Sequence, residues 1–272
     1  MTMTPFSRIA LVSALVSAPA LADERQQPPP AQPPAKGAET PPNESEKRID
    51  PEADSMLRRM TDYLSSLQSF KVKAAAADEV VTTDGRKVEL LSETQLSVAR
   101  PDRIRSERLQ GSGAMTFSDA GKTMTLYCKP DNTYATVSSP PSLDETIDSV
   151  RKEYQIDAPG ADLLYSHPYD VLTEQVTAGQ LVGKEYVDGV AANHLAFQGE
   201  EVDWQIWIQD GAQPLPLRYV ITTKTLKNEP EFTLELSHWQ PNVKLANSTF
   251  EFHPPPGAKR VPSFPTSCGS AH

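Results

Sequence analysis

Val202-Asp203-Trp204-Gln205-Ile206-Trp207-Ile208-Gln209 decides the fold class. Val202, Trp204, Ile206 and Ile208 take every second position, with Asp203, Gln205, Trp207 and Gln209 between them. Successive side chains of a strand point to opposite faces, so this stretch reads as a strand with one apolar and one wet face. Residues 231–238 repeat the pattern: Phe232, Leu234, Leu236 and His238 alternate with Glu231, Thr233, Glu235 and Ser237. Strands that are wet on one face belong to an antiparallel sheet covered on its other face.

On either side of these stretches the same period recurs. Short strands are expected at 80–81, 88–98, 104–109, 115–118, 124–128, 134–137, 180–187, 191–198, 215–223 and 249–252. Asp84-Gly85, Asp188-Gly189 and Asp210-Gly211 supply hairpin turns between them. Two segments break the period. Asp50-Pro51-Glu52 is a helix start, followed by Met56, Leu57, Met60, Leu64 and Leu67 in one apolar stripe. Ser142-Leu143-Asp144-Glu145 has capping-box spacing and opens a second helix with Ile147, Val150 and Tyr154 on one side. A short apolar turn at 161–165 and a helix from His167-Pro168 follow it. These helices are the elements available to cover a curved sheet. A sheet only partly filled by helices leaves an apolar cavity.

Both ends read differently from the middle. Arg8, an apolar run from Ile9 to Ala18 and Ala20-Leu21-Ala22 form a cleavable export signal over 1–22, too short for a membrane anchor. No cysteine follows the cleavage site, so no lipidation is expected there. Residues 23–48 are rich in proline and nearly free of hydrophobic side chains, which predicts a disordered leader. It reads as a spacer or as a ligand for a proline-binding domain. The folded domain is expected over 49–261, with a flexible tail at 262–272.

The 272 residues carry 36 acidic against 26 basic side chains, a net charge of −10. Neither nucleic acid nor an anionic membrane suits such a chain. Cysteines 128 and 268 admit two readings: a disulfide tethering the tail in an oxidising compartment, or one buried and one exposed thiol. The five histidines show no metal-binding spacing, and His194, mid-strand, reads as structural. Carboxylates cluster at Glu200-Glu201-Asp203 and Asp144-Glu145-Asp148, positions where solvated acids are ordinary. No nucleophile elbow or phosphate loop occurs. Neither cofactor nor metal is expected.

The C-terminal half carries a resemblance. Tyr186-Val187-Asp188-Gly189-Val190, Asn193-His194-Leu195-Ala196-Phe197, Asp203-Trp204-Gln205-Ile206-Trp207-Ile208, Pro214-Leu215-Pro216-Leu217-Arg218 and residues 250–258 resemble a family of predicted periplasmic proteins. That family is similar to the LolA/LolB lipoprotein carriers, the LppX/LprG lipid carriers and the RseB sensor domain. The resemblance implies a mainly β, α+β fold: an open antiparallel β-barrel of about eleven strands under a helical lid. It brings no catalytic residues.

The expected function is that of a non-enzymatic periplasmic carrier or receptor of a hydrophobic ligand, such as lipid or lipoprotein acyl chains. Trp204, Ile206, Phe197, Leu234 and Leu236 are the expected lining, with Met56, Met60 and Leu64 gating the cavity from the lid. The alternatives are an RseB-like module binding a periplasmic or membrane protein, and a hydrolase.

Overall fold

The computed structural model of the protein describes residues 48–109, 113–156, 158–265 and 268. The signal over 1–22 and the leader up to residue 47 lie outside the described residues.

Thirteen strands form one sheet. They are β1 (Arg48–Ile49), β2 (Ser69–Val81), β3 (Lys87–Ala99), β4 (Arg103–Arg108), β5 (Met115–Ala120), β6 (Thr123–Cys128) and β7 (Thr133–Ser138) in the first half. After a helical crossover come β8 (Val176–Val187), β9 (Val190–Gly199), β10 (Val202–Gln209), β11 (Pro216–Thr223), β12 (Glu231–Pro241) and β13 (Lys259–Arg260). The spatial order is β1-β8-β9-β10-β11-β12-β2-β3-β4-β5-β6-β7-β13. Two meanders, β2 to β7 and β8 to β12, therefore join where β12 pairs antiparallel with β2.

This order dictates where the helices go. The chain leaves β7 near one edge of the sheet and re-enters at β8 near the other, so residues 139–175 must cross a sheet face. They do so as α2 (Leu143–Lys152), a 3-10 turn at Ala161–Leu164 and α3 (Pro168–Thr173). For the same reason α1 (Pro51–Ser66) spans from β1, beside β8, to β2 in the middle of the sheet, and it packs against β8, α3 and the 3-10 turn. The caps expected from sequence are present. Asp50 accepts a hydrogen bond from the Glu52 amide at 2.8 Å, and Ser142 accepts one from the Glu145 amide at 3.2 Å while donating to the Glu145 carboxylate.

Five expectations need correction. The sheet is open and mixed, because β1 and β13 at its two edges each pair parallel with a neighbour; it is not an antiparallel barrel of about eleven strands. Residues 249–252 form no strand: a 3-10 turn at Asn247–Thr249 precedes Pro254-Pro255-Pro256, whose nitrogens cannot donate to a ladder. Arg48 belongs to β1 rather than to the leader. The fold also continues past 261, since Phe264 is buried and Cys268 is bonded to Cys128.

The fifth correction is His238. The β12–β2 ladder slips between Ser237 and Gln240, and His238 takes φ +54°. This β-bulge puts one extra residue on β12 and reverses its alternation, so His238 points to solvent and Trp239 turns inward. Trp239 then packs on Phe70 with ring centroids 5.4 Å apart and donates its indole N–H to the Pro216 carbonyl at 3.1 Å.

Candidate functional site

Between the β12–β2–β3–β4–β5–β6 part of the sheet and α2 with residues 156 and 158–164 lies a cavity of about 240 Å³. The strand period explains its floor: Phe70, Val72, Ala74 and Ala76 of β2, Leu96 of β3, Ile104 of β4 and Phe117 of β5 all face inward. Alanines at 74 and 76 leave the room that larger side chains would fill. Leu143, Ile147 and Val150 of α2, three or four residues apart on one helix face, form the roof with Leu163 and Leu164.

The roof is fastened to the sheet by polar contacts. Thr146 Oγ1 donates to Asp119 Oδ2 at 2.9 Å, Ser139 donates to the same carboxylate, and the Gly121 amide donates to Oδ1 at 2.8 Å. Arg151 joins α2 to the following loop, donating to Asp162 at 2.9 Å and to the Ala158 carbonyl at 2.8 Å. Tyr165 donates to Asp148 at 2.7 Å; burial, and then this hydrogen bond, push its phenol up to about 12. Gly160 sits at φ +80° with an added Cβ only 2.8 Å from Leu234, so glycine is required where the loop meets the floor.

Asp119 is fully buried, and desolvation raises its pKa above the usual carboxylate value in spite of its three donors. A raised carboxylate pKa means the folded state holds the proton more tightly than the unfolded chain. Stability from this group is therefore greatest at low pH and lost as pH rises from about 3.8 through the folded value. In Asp119→Asn that loss is absent, while the other carboxylates are common to both proteins and cancel. The denaturant midpoint of the variant minus that of the parent is expected to rise between pH 4 and pH 7. A constant difference would rule out this account of Asp119.

The expected lining and gating residues separate into two groups. Leu64, Leu234 and Leu236 line the cavity. Phe197, Trp204, Ile206 and Met60 lie in the packed core under α1, all at most 4 % exposed, and Met56 packs on that core from the surface of α1. Trp204 stacks on Phe197 at 4.0 Å and meets the edge of Tyr219 at 5.8 Å. Sequence reasoning missed Phe117 and Trp239, which do line the cavity. Phe117 could have been found from the alternation of β5, whereas Trp239 depends on the bulge.

On the outer face, His194 stacks on Trp207 at 3.9 Å. Its ring nitrogens meet Glu185 at 3.2 Å and Gln205 at 2.9 Å, the structural role expected of it. Asp203 accepts from Lys224 at 3.0 Å, and Asp144 accepts from the Ser166 amide at 2.9 Å.

Residues 53–263 match the family described as predicted periplasmic protein DUF2092. The chain belongs to this family. No curated protein matches it. Among solved structures, an uncharacterised conserved protein from Thermus thermophilus is 14% identical with TM-score 0.46, covering 78% of this chain and 99% of its own. Mycobacterium tuberculosis lipoprotein LppX is 15% identical with TM-score 0.39, covering 72% and 98%, and the Nitrosomonas europaea LolA superfamily protein NE2245 is 14% identical with TM-score 0.39, covering 74% and 97%. Likenesses this distant decide nothing about a ligand. Among the described residues no helix is long and apolar enough to cross a membrane.

Proposed function

We propose that this protein is an exported, non-enzymatic binding protein that holds the apolar part of a hydrophobic ligand, such as an acyl chain, in the cavity between sheet and lid. The observation that supports this reading is the cavity itself: a space roofed by a fastened helix, with a mainly apolar lining. Sites for drug-sized ligands occupy about 300–1,000 Å³, so 240 Å³ suits a single chain better than a whole multi-chain lipid. Leu64, Leu234 and Leu236 touch that chain, while Trp204, Ile206, Phe197 and Met60 hold the walls rigid behind it. The export signal over 1–22 and the acidic balance fit work in the periplasm, on a ligand handed between partners.

The test is to fill the space. Ala74→Leu adds apolar volume to the cavity floor opposite Leu236 of β12. It is expected to leave the denaturant midpoint nearly unchanged, since a void is filled. It should weaken binding of a fluorescent fatty-acid analogue by about tenfold or more, equal to roughly 1.4 kcal/mol. Unaltered probe affinity in the folded variant, or no probe binding by the parent protein, would refute the carrier reading.

A further inference from the structure

The cavity is not uniform along its strands. Its deep end is apolar: Phe70 and Ile104 below, with Leu143 and Ile147 above. Toward the other end of β3 and β4 the inward positions become polar. Leu96 gives way to Thr94 and Ser92, and Ile104 to Ser106 and Arg108. Four residues at about 3.4 Å each put Arg108 some 13 Å from Ile104. Arg108 and Thr94 are paired across the β3–β4 ladder and both line this end of the cavity.

Two features mark Arg108 as more than a surface cation. The neighbouring charges of β4, Arg105 and Glu107, alternate to the opposite face, where Lys129 engages Glu107 at 3.0 Å. Among the described residues, the Arg108 guanidinium has no hydrogen-bond or ion-pair partner. Its position is also defined: Nη1 lies 3.0 Å from where a Cβ on Gly113 would stand, so the absence of a side chain at 113 leaves the guanidinium its place.

We infer that the cavity takes a single-chain anionic amphiphile, its tail running toward Ile104 and its carboxylate or phosphate headgroup held by Arg108. This rests on the binding reading above and specifies its ligand class. A guanidinium offers paired donors to such oxyanions, and at the rim of an apolar cavity the contact is less screened than on an open surface. A neutral head of the same length would leave the cation without its counterpart.

The experiment displaces a neutral apolar fluorophore from the full mature protein with dodecanoate, dodecyl phosphate, dodecan-1-ol and inorganic phosphate. At least one of the two anionic amphiphiles is expected to compete about tenfold or more better than the alcohol, as a charge-assisted hydrogen bond warrants, and raised salt should erode that advantage. The amphiphile that does so identifies the headgroup. In Arg108→Gln the advantage should vanish while the alcohol competes as before. Gly113→Val keeps the arginine but takes its place, and should lose the advantage too, which guards against misfolding of either variant alone.

Equal competition by acid and alcohol in the parent protein overturns the inference and leaves the carrier reading standing. An equal loss for acid and alcohol in both variants makes Arg108 a structural residue and also overturns it. Displacement by inorganic phosphate alone would mean a free-anion site. A fluorophore that never binds sinks the carrier reading, and this inference with it.

Discussion

Trp204→Ala is expected to lower unfolding stability by about 3–5 kcal/mol, the usual cost of truncating a large aromatic in a packed core. Trp204 is 4 % exposed, stacked on Phe197 and edge-on to Tyr219, with Ile206 and Leu195 beside it in the same buried cluster. Nothing in that arrangement can collapse into the void, because the flanking side chains are fixed by β9, β10 and β11 pairing. Domains of ordinary stability hold about 5–15 kcal/mol, so the variant could be unfolded near physiological temperature. Where it remains folded, its affinity for an apolar probe should match that of the parent protein, since Trp204 stands behind the cavity. Denaturant midpoint and probe affinity, measured on the same preparation, check both halves. A small stability loss with a large affinity loss would move Trp204 to the cavity wall.

The second large effect is the disulfide between Cys128 of β6 and Cys268, which closes 140 residues of sequence. In the chain-entropy account a loop of that size contributes about 5 kcal/mol, near the top of the measured range of roughly 0–5. The bond also holds residues 261–265 along the β6–β7 side of the sheet, where Phe264 packs on Tyr154 at 4.5 Å and on Phe117 at 6.4 Å. Because Phe117 lines the cavity, releasing the strap loosens one of its walls. Cys268→Ser is expected to lower the urea midpoint by the larger part of this contribution, and reduction of the parent protein by the same amount. Equal midpoints for oxidised and reduced protein would show that the strap holds without the bond.

Much of this was legible in the sequence because it depends on local periodicity and local chemistry. The alternation in 202–209 placed Trp204, Ile206 and Ile208 inside, and they are buried. Asp50-Pro51 and Ser142 with Glu145 marked helix starts because an N-cap is made by residues two or three apart. Three Asp-Gly pairs marked hairpins because a turn with positive φ is a property of a few residues, and Gly85, Gly189 and Gly211 all adopt one. Leu234 and Leu236 were expected as lining from their position on an apolar face and Leu64 as a gating residue of the helix, and all three border the cavity.

What only the tertiary structure decided depends on pairing between distant segments. Period two tells which residues share a face but not which strand lies beside which, so the sheet's open edges at β1 and β13 had no local signal. The inward turn of Trp239 required the bulge that β12 makes against β2. Whether an inward residue meets a helix or an empty space depended on where the helices land: α1 shares a packed core with Phe197, Trp204 and Ile206, and α2 of the crossover stands off from Ala74 and Ala76. The sequence by itself determined that there would be an apolar face and helices to cover it. The strand order, which forces the crossover from β7 to β8, decided which part of that face became core and which became a cavity, because three short helices and a 3-10 turn cannot fill a face thirteen strands wide.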